Sequence, residues 1–63
     1  SGLSRMAQKV GEEGTEVVIA ALAREKQELV EEIADLAFHT LVLMAAKGVT
    51  PDDINLELSK RHK

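Results

Sequence analysis

Residues 9–21 read KVGEEGTEVVIAA, a stretch that decides the fold because its apolar and acidic positions recur at helical spacing. On a helix with about 100° of rotation per residue, Glu13 falls in the middle of an apolar stripe. A carboxylate in such surroundings is costly unless it is paired or coordinates a metal ion. Glu13 is therefore the residue that most clearly indicates a functional site in the sequence.

The helix that contains this stretch is predicted from about Ser4 to Ala23. Its apolar stripe is formed by Leu3, Met6, Val10, Val17 and Ala20. A second stripe consists of small residues, namely Ala7, Gly11, Gly14, Val18 and Ala21. Each glycine inside a helix costs about 1 kcal/mol relative to alanine. Close approach of another backbone is the expected compensation, and simple tolerance of these glycines is the alternative.

A second helix is predicted from about Gln27 to Lys47, after a polar turn at residues 24–27. One apolar face of this helix contains Leu29, Ile33, Leu36 and Leu43. The roughly opposite face contains Ala34, Phe38, Leu41 and Ala45. A helix with two apolar faces is buried on two sides, which a single partner helix cannot achieve. The sequence therefore predicts an all-α fold, a helical hairpin plus a short C-terminal helix, that pairs with a second copy into a four-helix-bundle homodimer.

A polar strip between these two faces contains the second acidic pair, Glu32 and Asp35. This pair and the pair Glu13 and Glu16 each place two carboxylates three residues apart, with about 5–6 Å between Cβ atoms on one helix face. If the two helices pack side by side, the four carboxylates converge and repel one another. A hard cation such as Mg²⁺ or Mn²⁺ removes that repulsion and suits oxygen ligands. The alternative is that both pairs lie on solvated helix faces, as acidic runs usually do.

His39 follows Asp35 by one helical turn, and the sequence leaves its role open. It can contact the same site, or it can hydrogen-bond a carboxylate or a main-chain group. A carboxylate-bridged di-iron site is disfavoured because it uses Glu-x-x-His pairs, whereas the pair here is Glu-x-x-Asp.

The C-terminal part of the sequence predicts a cap and a third, shorter helix. Gly48 is placed to cap the end of the second helix. Thr50 is a good N-cap residue, Pro51 suits the first helical position, and Asp52 and Asp53 fall in the first turn, where acids are favourable.

The composition of the 63 residues narrows the range of partners and locations. The net charge of −3 argues against binding to a nucleic-acid backbone. No apolar run approaches the ~20 residues of a membrane span, and no signal peptide is recognisable. With no cysteine, we expect a cytoplasmic protein without disulfides. A chain this short buries only about 60% of its unfolded surface, and Phe38 is its one aromatic residue, which again favours a second copy.

Six stretches of the chain together resemble a known family. They are KVGEEGTEVVIAA (9–21), EEIADL (31–36), FHTLVL (38–43), GVTPDDI (48–54), EL (57–58) and RH (61–62). This pattern resembles phosphoribosyl-ATP pyrophosphohydrolase over nearly the whole chain. Its E-E-x-x-E…E-x-x-D core belongs to the wider MazG-type all-α NTP pyrophosphohydrolases, and the flanking residues are specific to the histidine-pathway branch.

The resemblance implies an ATP- and nucleotide-binding enzyme of histidine biosynthesis, phosphoribosyl-ATP diphosphatase. Such an enzyme hydrolyses phosphoribosyl-ATP to phosphoribosyl-AMP and pyrophosphate. The resemblance also implies Mg²⁺ ligation by Glu13, Glu16, Glu32 and Asp35. An acidic pocket alone would repel a polyphosphate, and bound Mg²⁺ reverses the local sign of the charge.

Two further roles follow from the implied reaction. Glu13 or Glu12 takes the proton of the attacking water. Lys9, one turn before Glu13, contacts a phosphate group of the substrate or, as the alternative, neutralises the acids around it.

Members of this family usually carry an N-terminal segment with an extra helix ahead of the glycine that matches Gly2, and some carry a cyclohydrolase domain upstream. We therefore expect residues 1–63 to form a single all-α pyrophosphohydrolase domain that lacks this segment. A fused or separate cyclohydrolase is an expected partner. Two other functions remain open: a MazG-type hydrolase of a free NTP or dNTP such as dUTP, and a non-catalytic helical dimerisation module.

Overall fold

The computed structural model describes residues 2–62 and contains three α-helices and no strand in that range. They are α1 (Gly2–Ala23), α2 (Lys26–Ala46) and α3 (Pro51–Arg61). The predicted all-α class is confirmed. The predicted ends of α1 and α2 lie within two residues of the observed ones. None of these helices combines the length and hydrophobicity needed to cross a membrane.

The helices α1 and α2 pack against each other as a hairpin. The turn between them is shorter than predicted, because only Arg24 and Glu25 lie outside a helix. Glu25 has an extended backbone, and its carbonyl accepts the Leu29 N–H at 3.2 Å, so the helical hydrogen bonds of α2 already begin there. Glu25 makes no side-chain cap, which agrees with the absence of a good N-cap residue in the sequence.

The predicted apolar stripe of α1 faces α2 over most of its length. Met6, Val10 and Val17 are half-buried, and Ala20 is 3% exposed. Leu3 departs from this pattern, since it lies near the open end of the hairpin and is exposed. The hairpin therefore builds a thin core that follows the predicted stripe.

The connection from α2 to α3 confirms both predicted caps. Gly48 has a φ of +70°, and the Val49 N–H donates to the Met44 carbonyl at 2.8 Å, which closes the end of α2. This left-handed conformation favours glycine. At the start of α3 the Thr50 hydroxyl accepts from the Asp53 N–H, and the Asp53 carboxylate accepts from the Thr50 N–H. The reciprocal pair is a capping box.

The described chain is flat, with extents of 38 × 33 × 14 Å. Among the described residues only α1 and α2 pack on each other, so the hairpin is one layer of helices with no second layer on it. The helix α3 packs on neither α1 nor α2. Cβ atoms added at Gly11 or Gly14 would meet nothing within 4 Å, so the expected close approach of another backbone is not made within the described chain. The second face of α2 is also open, with Phe38 62% exposed.

Candidate metal and substrate site

Three of the predicted carboxylates meet on one side of the hairpin. Glu13 on α1 and Glu32 and Asp35 on α2 each offer an oxygen, and these oxygens all lie within 4.8 Å of one another. Glu13 and Glu32 are half-buried, whereas Asp35 is exposed. The spacing of three residues places Glu32 and Asp35 on one face of α2, and the packing of α1 on α2 brings Glu13 to that face. We call these three residues the acidic cluster.

Glu16 lies near the acidic cluster without belonging to it. Its side chain is exposed, and it is not among the carboxylates that meet within 4.8 Å. Its negative charge is nevertheless close enough to Glu32 to affect the ionisation of that residue. The structure therefore brings three of the four predicted ligands together and leaves Glu16 at the edge.

The acidic cluster raises the pKa of Glu32 above its ordinary value of 4.5. Loss of hydration between the helices is the largest cause, and the charges of Glu16, Asp35 and Glu13 act in the same direction. A side-chain hydrogen bond with Asp35 also favours the protonated form. Without a counter-charge, the folded protein thus holds a proton on Glu32 more tightly than a solvated glutamate would.

Lys9 provides one positive charge beside the acidic cluster. Its Nζ atom lies 3.4 Å from Glu13 Oε1 and 3.9 Å from Glu12 Oε1. The Glu13 side chain is 12% exposed and that of Glu12 is 52% exposed, so the two adjacent acids differ in environment. Glu12 also accepts a hydrogen bond from Gln8 Nε2 at 3.1 Å. Glu12 therefore faces outward from the cluster, while Glu13 faces into it.

His39 takes one of the two roles that the sequence left open. Its Nδ1 lies 2.8 Å from the Asp35 main-chain oxygen. Because a carbonyl oxygen only accepts, Nδ1 donates, and Nε2 of the neutral ring is left as an acceptor. His39 is not among the residues that converge in the acidic cluster.

A hollow of about 290 Å³ adjoins the acidic cluster at the open end of the hairpin. We call it the apolar hollow because hydrocarbon atoms form its exposed wall; it is lined by Gly2, Arg5, Met6, Lys9, His39 and Val42. A second, polar hollow of about 150 Å³ is lined by Arg5, Gln8, Lys9 and Glu12. Arg5 was not predicted as a site residue, although its position one turn before Lys9 could have indicated a basic pair on one helix face.

The sequence of residues 1–62 matches the family described as Phosphoribosyl-ATP pyrophosphohydrolase. The chain belongs to the phosphoribosyl-ATP pyrophosphohydrolase family. The resemblance predicted from the sequence motifs is thereby confirmed.

Curated relatives support this membership. A phosphoribosyl-ATP pyrophosphatase of Saccharolobus islandicus (strain L.S.2.15 / Lassen #1) is 53% identical over 62 residues, 98% of this chain and 66% of the relative. The protein of the same name from Saccharolobus solfataricus is 52% identical over the same shares. The histidine biosynthesis bifunctional protein HisIE of Oceanobacillus iheyensis is 56% identical over 61 residues, 97% of this chain and 28% of the relative. The chain thus spans 66% of the length of the Saccharolobus relatives that it matches.

For this member of the phosphoribosyl-ATP pyrophosphohydrolase family, the donor set of the acidic cluster fits a hard divalent cation. All three groups are carboxylates, which are the ligands that Mg²⁺ and Mn²⁺ prefer. Glu13 and Glu32 come from different helices and are half-buried, so a cation would offset their mutual repulsion. The three side chains leave further coordination positions open for water and phosphate oxygens, as Mg²⁺ sites usually do.

Proposed function

We propose that the protein hydrolyses phosphoribosyl-ATP to phosphoribosyl-AMP and pyrophosphate in histidine biosynthesis. The convergence of Glu13, Glu32 and Asp35 in a member of this family is the observation that carries the proposal. The name of the Saccharolobus relatives, phosphoribosyl-ATP pyrophosphatase, supports the same substrate. The products require cleavage of the anhydride bond between the α- and β-phosphates by water.

Glu13, Glu32 and Asp35 would hold Mg²⁺ or Mn²⁺, with Glu16 as a further acid at the edge of the cluster. When bound, the cation supplies charge compensation for the phosphoryl oxygens and lowers the pKa of a bound water. The carboxylates of the protein fix the place of this charge on the hairpin. The cation held there would reverse the sign of the local charge, so that an acidic protein would attract a polyanionic substrate at this one point.

Two residues of α1 are assigned roles in the reaction, one toward the substrate and one toward the attacking water. Lys9 lies between the acidic cluster and the apolar hollow, where its ammonium group can contact a phosphate oxygen of the substrate. Glu12 lies outside the acidic cluster, so its carboxylate is not committed to the cation and is a candidate to accept the proton of the attacking water. Glu13 is the other candidate for that proton, but its oxygen is part of the cluster.

We also propose that two copies of the chain pair through the open apolar face of α2 into a four-helix bundle. The chain forms a single layer of helices, and a stable domain usually needs two layers. Val30, Phe38 and Leu41 are large apolar side chains on this face, and each is about half exposed or more. Because a two-fold interface uses the same surface twice, a second copy covers this face without any other partner.

The product phosphoribosyl-AMP indicates which reaction comes next in the pathway. Phosphoribosyl-AMP is the substrate of a cyclohydrolase step according to the family resemblance. We therefore propose that the protein works with a fused or separate cyclohydrolase. The name of the Oceanobacillus relative, a bifunctional protein of histidine biosynthesis, supports this arrangement.

Pyrophosphate release is the direct test of the proposed reaction. The protein is incubated with phosphoribosyl-ATP, with ATP and with dUTP, each in the presence of Mg²⁺, of Mn²⁺ or of EDTA. We expect release from phosphoribosyl-ATP that depends on the cation. Faster release from dUTP or ATP would favour the free-nucleotide hydrolase instead. No release from any substrate, together with no stabilisation by either cation, would favour the dimerisation module.

A further inference from the structure

Arg5 is a positively charged residue with no assigned role in the proposed reaction. It lines both the apolar hollow and the polar hollow, and its side chain is exposed. Among residues 2–62 its guanidinium group takes part in no ion pair or hydrogen bond, whereas Lys9 already pairs with Glu12 and Glu13. Arg5 is therefore a free donor of several N–H groups at the edge of a hollow.

The position of Arg5 relative to the acidic cluster suggests what it binds. Arg5 precedes Glu13 by eight residues, which corresponds to about 12 Å along the axis of α1. Lys9 lies between the two, so the phosphates next to the acidic cluster have a nearer cation in Lys9. A group that reaches Arg5 must therefore lie well away from the anhydride bond that is cleaved.

The apolar hollow is lined by Arg5 and also by Lys9, which pairs with Glu13 of the acidic cluster. Its wall is built from the hydrocarbon parts of its lining side chains, with Met6 and Val42 on opposite helices. A volume of about 290 Å³ lies just below the range of small-molecule sites, which is about 300–1,000 Å³. A flat base and a sugar fit such surroundings better than a phosphate, because a phosphate needs hydrogen-bond donors.

We infer that Arg5 binds the phosphate of the phosphoribosyl group, while the apolar hollow holds the purine nucleoside between that phosphate and the acidic cluster. This inference rests on the proposed function. Phosphoribosyl-ATP carries phosphates at two ends, a triphosphate on one ribose and a monophosphate on the other, with the purine between them. Along α1 the order is Glu13, Lys9, Arg5, and both cations line the apolar hollow, so a purine nucleoside in the hollow lies within reach of a triphosphate at Lys9 and a monophosphate at Arg5. Arg5 thereby makes the site selective for phosphoribosyl-ATP over ATP, because ATP has no second phosphate group at the other end of the molecule.

The test compares Arg5→Gln with Arg24→Gln, which removes an exposed arginine in the turn between α1 and α2. With Mg²⁺ present, we expect Arg5→Gln to raise KM for phosphoribosyl-ATP by about tenfold, the effect of one charge-assisted hydrogen bond, with little change in kcat. Inhibition by ribose 5-phosphate should weaken by a similar factor, and inhibition by pyrophosphate should not change. Arg5→Lys should restore part of the affinity, because it keeps the charge and loses the planar fork. Arg24→Gln should behave like the unaltered protein.

Two kinetic outcomes would overturn the inference. An unchanged KM in an active Arg5→Gln variant would show that the guanidinium group does not contact the substrate. Equal weakening of inhibition by pyrophosphate would place Arg5 on the triphosphate end instead.

Binding measured by NMR separates this inference from the proposed reaction. Ribose 5-phosphate is titrated into the protein while the side-chain N–H signal of Arg5 is observed, and AMP is titrated while the methyl signals of Met6 and Val42 are observed. Saturable shifts at these groups support the assignment even if the protein releases no pyrophosphate, in which case only the proposed reaction fails. Absence of these shifts overturns the assignment, whatever the activity.

Discussion

Glu13 is the residue at the centre of the proposed metal site. Its side chain is 12% exposed and lies 3.4 Å from the Lys9 ammonium group. One ammonium group cannot offset three carboxylates, since Glu32 and Asp35 also lie within 4.8 Å. Residual repulsion between nearby like charges is what a bound cation would relieve.

Replacing Glu13 by Gln keeps the shape of the side chain and removes its charge. A cation that binds the native protein raises the melting temperature, and we expect Glu13→Gln to abolish most of the rise that Mg²⁺ produces. Turnover of phosphoribosyl-ATP should fall by about 100-fold or more, because a bound cation contributes several kcal/mol to stabilising the charge on the phosphoryl oxygens in the transition state. Thermal melts and pyrophosphate release measure the two effects.

The control for this variant is Glu31→Gln, at an exposed position of α2 where, within residues 2–62, the carboxylate accepts only from Gln27. It should leave the melting temperature and the turnover unchanged. If Mg²⁺ raises the melting temperature of Glu13→Gln as much as that of the unaltered protein, Glu13 is not a ligand of the cation.

The raised pKa of Glu32 predicts how the stability of the metal-free protein depends on pH. In the window between the ordinary value of 4.5 and the higher folded value, the folded state binds more protons than the unfolded state. The contribution of Glu32 to the free energy of unfolding should therefore be fully present below this window and should be lost as the pH rises through it. Urea denaturation in EDTA at a series of pH values measures this fall.

Glu32→Gln provides the comparison for that pH series. It should flatten the fall in the free energy of unfolding and make the metal-free protein more stable at neutral pH, because the ionised Glu32 is then absent. Identical pH profiles for the two proteins would contradict the proposed repulsion at this residue.

At the scale of the elements, α3 differs from the hairpin helices in what holds it together. It contains 11 residues and packs on neither α1 nor α2. Isolated helices shorter than about 12–15 residues are marginal in water. Its stability therefore depends on local features, namely Pro51 at the first position, the capping box of Thr50 and Asp53, and the ion pair of Arg61 with Glu57 at 3.1 Å.

We expect Thr50→Ala to reduce the helical population of α3 without unfolding the hairpin. The loss of one side of the capping box costs about 1 kcal/mol, and no packing against α1 or α2 compensates for it. Cα chemical shifts of residues 53–58 should move toward random-coil values, while those of α1 stay in place. Ser59→Ala, at an exposed position late in α3, is the control and should preserve the helix. Unchanged shifts in Thr50→Ala would show that something other than the cap supports α3.

At the scale of the whole molecule, the single layer of helices leaves most apolar side chains in contact with solvent. Ala20, at 3% exposure, is the one described residue that is buried. On α2, Phe38 is 62% and Leu41 is 52% exposed. A surface patch of large apolar residues in a small protein usually marks an interface, and this patch continues the predicted second face of α2.

Introducing a charge into this patch should separate the proposed dimer. We expect Leu41→Glu to shift the protein from dimer to monomer in sedimentation velocity and to lower its melting temperature, because burying an unpaired carboxylate is costly. The melting temperature of the unaltered protein should rise with concentration, as expected for a folded dimer. Ser59→Glu adds the same charge at an exposed polar position and should remain a dimer. If the unaltered protein is a monomer in sedimentation velocity, the proposed dimer is wrong.

The helices and their caps could be predicted from the sequence because each depends on residues only a few positions apart. Glycine at position 48 and the pair Thr50 and Asp53 set the end of α2 and the start of α3 through local hydrogen bonds. The cost of Glu13 in an apolar stripe was likewise visible from helical periodicity alone. Family membership followed from the motifs.

Only the tertiary structure decided which of these groups meet. It brought Glu13, Glu32 and Asp35 together and left Glu16 at the edge, and it formed the hollow that Arg5 lines. These outcomes depend on the rotation of α1 and α2 about their axes and on their offset along the hairpin. Both quantities result from the packing of side chains that are distant in sequence, so short spacings within one helix do not determine them.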